Sequence, residues 1–274
     1  MKSLYLSLIC LLLVSACKSD KSETPIIEET RELTIAEKIA NSIGAVPCKY
    51  VLEIGPGMGV MTKYLLEKDY ETFVIEVDLE SVAYLSNNYS KLKDHIIGGD
   101  FLKWDASEVF GDEEYAVIGN FPYNISSQIV FKTLEQRDKI PVFAGMFQKE
   151  VAERICSPSG SKTYGILSVL CQAFYDVEYL FTVDETVFVP PPRVKSGVMR
   201  MVRKENFELG CDPKRLKDIV KGAFNHRRKT LRNSLKRFNL PPEVTEQWWA
   251  SKRAEQLTWR EFVVLTNWVE KNEL

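Results

Sequence analysis

The chain has 274 residues and 45% hydrophobic content, which excludes a disordered tail and suffices for a full core plus a second, smaller domain. A formal net charge of -2 excludes a uniformly basic nucleic-acid binder, yet residues 211–240 carry ten Lys/Arg against Asp212 and Asp218, a local net of +8. The six cysteines, at 10, 17, 48, 156, 171 and 211, form no Cys-x-x-Cys pair, and His95 and His226 are the two histidines, a pattern that suggests neither a zinc site nor a disulfide framework.

Residues 1–30 read as a leader and linker. Lys2 precedes an apolar run over residues 4–14, short for a bilayer span but the length of a signal-peptide core. Val14, Ser15, Ala16 and Cys17 then resemble the lipobox of bacterial lipoproteins, with a polar linker over residues 18–30. Such a signal implies an envelope lipoprotein. The alternative is an amphipathic leader or a misassigned start.

The apolar spacing of Leu33, Ala36, Ile39, Ala40 and Ile43 predicts a helix over 33–43. A strand over 50–54 then runs into Gly55, Pro56, Gly57, Met58 and Gly59, followed by a helix over 60–66. Glycines at such a turn let a ligand approach the backbone, although the spacing is not that of the dinucleotide fingerprint. The second strand, 72–78, places Glu76 about twenty residues after the glycines, where a carboxylate can take both ribose hydroxyls. Asp78 is expected to cap the helix starting near Leu79. A third strand, 95–99, delivers Asp100, an acceptor suited to an adenine amino group. Each acid alone reads equally as a solvated strand end. Three ligand-type residues at three successive strand ends point to a nucleoside site.

The fourth strand, 116–119, ends on Asn120, Phe121, Pro122 and Tyr123, with a helix over 126–134 behind it. An adenine N6 amine is a poor nucleophile because its lone pair is delocalised into the ring. Two acceptors, the Asn120 side-chain carbonyl and the backbone carbonyl of Phe121 or Pro122, can hold both N–H bonds and favour a tetrahedral nitrogen. Pro122 fixes the turn, and Tyr123 can stack on the base, worth about 1–3 kcal/mol. The bland reading is a strand-ending turn. With the glycine turn, Glu76 and Asp100, the layout is that of an S-adenosylmethionine-dependent amino-methyltransferase, needing neither a metal nor a covalent intermediate.

Downstream, 142–147 reads as a fifth strand, 165–174 as a helix, and 175–183 with 197–202 as an antiparallel pair joined through Pro190, Pro191 and Pro192 in an extended loop. Helices are expected over 213–223, 227–238, 242–250 and 260–269. In the second of these, Leu231, Leu235 and Phe238 form an apolar face while Arg228, Arg232 and Lys236 repeat on another. Together with Arg227 and Lys229 they are expected to contact RNA phosphates; otherwise they form a solvated face.

The motifs also resemble a known family. Glu53 to Gly57, Ile75 to Asp78, Gly99 with Asp100, Asn120 to Ser126 and Gln148 to Ala152 are similar to the motif series of the ribosomal RNA adenine dimethyltransferases. Val189 to Ser196 and Phe224 to Arg232 resemble its small-subunit branch. The family's Gln-Asn-Phe-Leu-like opening motif is replaced here by Thr30, Arg31, Glu32 and Leu33. The resemblance implies a seven-stranded, Rossmann-like class I methyltransferase domain over 31–205 and a small all-helical RNA-binding domain over 206–274. It implies that Gly55, Gly57, Glu76, Asp100 and Asn120 bind S-adenosylmethionine, and that Asn120 and Tyr123 serve the target. The substrate it implies is a pair of adjacent adenines in a hairpin loop near the 3′ end of small-subunit rRNA, dimethylated at N6 by a monomer acting on the immature 30S subunit. That substrate requires the cytoplasm, in conflict with the lipobox-like segment. Rivals are a large-subunit rRNA adenine methyltransferase, a non-catalytic rRNA-binding assembly factor, and an exported paralogue with another amine substrate.

Overall fold

A computed structural model describes residues 33–188 and 192–273. The lipobox-like residues Val14 to Cys17, the replaced motif at Thr30 to Glu32, and Pro190 and Pro191 lie outside them. Seven strands form one sheet in the order β3-β2-β1-β4-β5-β7-β6. They are β1 (Tyr50–Ile54), β2 (Glu71–Glu76), β3 (Ile96–Gly98), β4 (Tyr115–Asn120), β5 (Val142–Gln148), β6 (Tyr175–Val183) and β7 (Ser196–Arg203). The first five are parallel to one another, whereas β7 runs antiparallel to both β5 and β6. In β1, β4 and β5 burial is almost continuous rather than alternating, as expected of parallel strands covered on both faces.

The helices are α1 (Ile35–Asn41), α2 (Thr62–Leu65), α3 (Leu79–Asn88), α4 (Ser107–Phe110), α5 (Ser126–Glu135), α6 (Lys149–Cys156), α7 (Ile166–Phe174), α8 (Pro213–Asn225), α9 (Leu231–Ser234) and α10 (Trp259–Asn272). The cap expected at Asp78 is present: its Oδ2 accepts from Ser81 N at 2.9 Å and from Ser81 Oγ at 2.7 Å. α8 opens on Asp212 followed by Pro213 at its first position, and α10 on a reciprocal box between Thr258 and Glu261. One apolar cluster runs from Leu52, Val117 and Phe143 through Leu170 of α7 to Leu216, Ile219, Phe262 and Leu265. The C-terminal helices therefore share a core with one face of the sheet.

Apart from shifts of one to three residues at other element ends, the structure departs from the sequence expectations in four places. The helix after the glycine turn starts at Thr62, not at residue 60, because residues 57–61 are turns. The helix expected over 227–238 is broken: residues 226–229 turn, Leu231 N donates to Lys252 O at 2.8 Å, and a short α9 gives way to a 3₁₀ turn ended by Asn239 at φ 47°. The helix expected over 242–250 is a 3₁₀ turn, Pro242–Glu246, followed by turns. α4 and α6 have no counterpart among the expected elements.

Candidate active site

The carboxyl ends of β3, β2, β1 and β4, adjacent in the sheet, carry the predicted ligand residues. Ile54 is in register with Gly119 and Ile75, so Gly55, Glu76 and Asn120 follow at one edge of the sheet. Gly99 N donates to Glu76 O at 2.9 Å, which sets Asp100 beside them. Three strand spacings of about 4.8 Å span roughly 14 Å, the length of a nucleoside with a side arm. Gly55 and Gly57 have φ of 68° and 54°, and a Cβ on either would meet nothing within 4 Å. The backbone is thus bare on an open side. At Gly59 a Cβ would lie 2.6 Å from the Tyr89 hydroxyl, so that glycine serves packing instead.

Glu76 is buried, 8% exposed. Its Oε2 accepts from Gly57 N at 3.0 Å, and its Oε1 from Val77 N at 2.8 Å and Asp78 N at 3.0 Å. A carboxylate offers about four acceptor directions, which leaves room for a further hydroxyl. The carboxylate therefore orders the glycine turn and remains an acceptor. Beneath it, Glu53 is fully buried, and burial, reinforced by the Glu76 charge and opposed by Thr62, pushes its carboxyl up to about 8. In the sequence Glu53 stands out only as part of the stretch Glu53 to Gly57; its position between Leu52 and Ile54 in a buried strand is the available signal.

Asp100 is half-buried, with Oδ1 accepting from Leu102 N at 3.0 Å and Oδ2 lying 3.8 Å from Lys103 Nζ. The turn after it is held from α5, because Lys132 Nζ donates to the carbonyls of Phe101 and Trp104. Burial lowers the Lys132 pKa, while the charges of Asp100, Asp105 and Glu135 oppose the shift. Sequence alone gave no sign of this lysine, since a single cation on an amphipathic helix is unremarkable.

The four residues after β4 divide their roles. Asn120 is exposed at the strand end and Pro122 is exposed in the turn. The Phe121 ring is buried, with its centroid 5.0 Å from that of Phe143 at an interplanar angle of 3° and 4.8 Å from that of Phe147. It occupies a slot that exists because Gly119 and Gly145 lack side chains: a Cβ on either would come within 2.7 Å and 2.6 Å of the ring. Phe121 can offer a substrate only its backbone. The Pro122 carbonyl accepts from Ile125 N at 3.2 Å, which leaves the Phe121 carbonyl as the freer acceptor. Tyr123 is half-buried, its hydroxyl 2.7 Å from Ser196 Oγ.

Of the five basic residues singled out, Arg228, Lys229, Arg232 and Lys236 are exposed. Arg227 is half-buried, donates to Lys162 O at 2.6 Å, and lies 3.8 Å from Glu255. They belong to the turn after α8, to α9 and to the following 3₁₀ turn. Among the described residues no cluster of His, Cys, Asp and Glu could hold a metal ion, and no helix is long and apolar enough to cross a membrane.

A strand order of 3-2-1-4-5-7-6, with the seventh strand inserted antiparallel and ligand-type residues at the carboxyl ends of the first four, defines a Rossmann-like methyltransferase. The model of the family described as ribosomal RNA adenine dimethylase matches residues 30–269. The chain belongs to that family and is a methyltransferase for adenine in ribosomal RNA. It is 61% identical over 240 residues to the ribosomal RNA small subunit methyltransferase A of Flavobacterium johnsoniae, covering 88% of this chain and 92% of that one. Its identity to the protein of that name from Bacteroides thetaiotaomicron is 55% over 242 residues, with 88% and 91% covered. Among solved structures, a dimethyladenosine transferase from Plasmodium falciparum shares the fold at a TM-score of 0.72 and 24% identity, covering 88% of this chain and 98% of that one. The 23S rRNA methyltransferase ErmE aligns at a TM-score of 0.65 and 26% identity, covering 86% and 98%.

Proposed function

We propose that the chain transfers methyl groups from S-adenosylmethionine to N6 of two adjacent adenines in a hairpin loop near the 3′ end of small-subunit rRNA, acting as a monomer on the immature 30S subunit in the cytoplasm. The observation that supports this reading is the register of β1 with β4, in which Ile54 lies opposite Gly119, so that Gly55 and Asn120 follow side by side. Relatives more than 50% identical are named for the small subunit, which favours that substrate over the large-subunit one.

The residues fit the donor. The bare backbone at Gly55 and Gly57 admits its amino-acid portion, the Glu76 carboxylate takes a ribose hydroxyl on its remaining acceptor direction, and Asp100 takes the adenine amino group. S-adenosylmethionine supplies a methyl group already activated on a sulfonium. Asn120 Oδ1 and the Phe121 carbonyl accept the two N–H bonds of the target amine, so that its lone pair turns out of conjugation and towards the donor side. Alignment of the two groups supplies much of the rate. Tyr123 stacks on the extruded base, offsetting part of the cost of unstacking. Residues 31–205 form the methyltransferase domain and residues 206–274 the helical RNA-binding domain, where Arg228, Lys229, Arg232 and Lys236, with Arg227 behind them, meet phosphates.

Primer extension on both rRNAs after reaction tests the assignment. Stops at two adjacent adenines near the 3′ end of small-subunit rRNA are expected; stops confined to large-subunit rRNA would overturn it. Calorimetric titration with S-adenosylmethionine separates an enzyme from a pure assembly factor, which would show no binding.

A further inference from the structure

Tyr123 and Ser196 lie 73 residues apart in sequence, yet their hydroxyls are 2.7 Å apart, one donating to the other. Tyr123 is half-buried, whereas Ser196 is fully buried at the first position of β7. That position is held from several directions. Ser196 pairs with Gln148 at the end of β5 and with Val183 at the end of β6. One residue earlier, the Lys195 carbonyl accepts from Lys149 N at 2.9 Å, and Lys195 Nζ donates to Asp184 Oδ2 at 2.8 Å. One residue later, a Cβ on Gly197 would come within 2.9 Å of the Tyr179 ring, so the backbone there is closely packed. The Tyr123 hydroxyl is therefore attached to a fixed point of the sheet.

Stacking on a base does not require this hydroxyl, because a phenyl ring offers the same face. A ring on a turn after a strand rotates about two side-chain torsions, and that freedom is lost each time a base binds. A tether from the far end of the ring removes it beforehand. We propose that Ser196 is a positioning residue for the base-stacking ring: through the Tyr123 hydroxyl it fixes the plane on which the extruded adenine lies. The inference rests on the reading of Tyr123 as the stacking residue, and it assigns to the start of β7 a part in presenting the target rather than in binding the donor.

The test is a double-mutant cycle on the full-length chain with immature small subunits as substrate, using Tyr123→Phe, Ser196→Ala and the double variant. Each single change is expected to lower kcat/KM for the subunit by about three- to tenfold, the range of one hydrogen bond. The dissociation constant for S-adenosylmethionine should stay at the wild-type value, and the double variant should be no worse than either single one. Unchanged kcat/KM in both single variants overturns the proposal, as does a multiplicative loss in the double variant. A Ser196→Ala variant that loses thermal stability and donor affinity together shows a structural role instead; Tyr123→Phe, which keeps the Ser196 side chain in place but without its partner, then decides, and an unchanged kcat/KM in that variant overturns the proposal. A wild-type chain that leaves the subunits unmethylated is a distinct failure, which removes the underlying reading and the inference with it.

Discussion

Glu76 accepts three backbone N–H groups on two oxygens, so it shapes the glycine turn before any ligand arrives. Replacing it by Gln keeps the size but removes the charge. We expect S-adenosylmethionine binding by Glu76→Gln to weaken about ten- to hundredfold, the range of a hydrogen bond to a charged group, as read by calorimetry; an unchanged affinity would show that the carboxylate serves the turn alone. Glu53 makes a second prediction. Its folded-state pKa is raised from 4.5 to about 8, so between those values the folded chain keeps a proton that the unfolded chain releases. Its contribution to stability is fully present below about pH 4.5 and is lost as pH rises towards 8. The thermal midpoint of the wild type should therefore fall relative to that of Glu53→Gln over this window, and parallel curves would contradict it. Glu76, Asp78 and Asp100 were legible in the sequence because each follows an apolar run and so must emerge at a strand end. The burial of the Phe121 ring was not: only the pairing of β4 with β5, which brings Gly145 alongside Gly119, creates the slot that takes it.

At the scale of elements, the turn proposed to hold the amine depends on that slot. Phe121 N donates to Met146 O at 3.1 Å, so ring and backbone together fix where Asn120 emerges. A Cβ on Gly145 would lie 2.2 Å from the Gly119 carbonyl, in addition to striking the ring. Gly145→Ala should cost about 1–3 kcal/mol of stability, as overpacking does, and should lower methylation more than donor binding; urea denaturation and turnover measured on the same sample check both. Strands were easier to read than helices here, because long buried apolar runs admit few alternatives. The expected helix over 227–238 had both an apolar and a basic face at helical spacing, but spacing does not reveal that Leu231 N is engaged by Lys252 O or that Thr230 bridges to Arg253. Tertiary hydrogen bonds outweighed local pattern. The basic side chains at 228, 229, 232 and 236 are nonetheless exposed, so the surface survived the loss of the helix expected to display it.

For the whole molecule, the apolar cluster shared by the sheet, α7, α8 and α10 holds the basic segment in a fixed relation to the carboxyl edge of the sheet. On the proposed reading, a net acidic protein grips RNA through this concentrated basic segment. Replacing Arg228 and Arg232 together by Ala should weaken binding to immature small subunits and reduce the magnitude of the salt slope by about 1.5, two phosphate contacts at roughly 0.7–0.9 each. Affinity measured from low to moderate salt provides the slope, and an unchanged value would remove these arginines from the interface. The strand order and the shared core were not readable from periodicity; the resemblance implied a seven-stranded, Rossmann-like sheet without its order, and the shared core needs the packing of α8 and α10 on α7. The most direct measurement is to incubate immature small subunits with isotopically labelled S-adenosylmethionine and either the wild type or Asn120→Ala, then map the label by nuclease digestion and mass spectrometry. Wild type should place N6,N6-dimethyladenosine at two adjacent positions near the 3′ end, and Asn120→Ala, folded as judged by circular dichroism, should leave them unmodified or slower by about 10²–10³-fold; wild-type turnover by the Asn120→Ala variant, or label on any other rRNA, would contradict it.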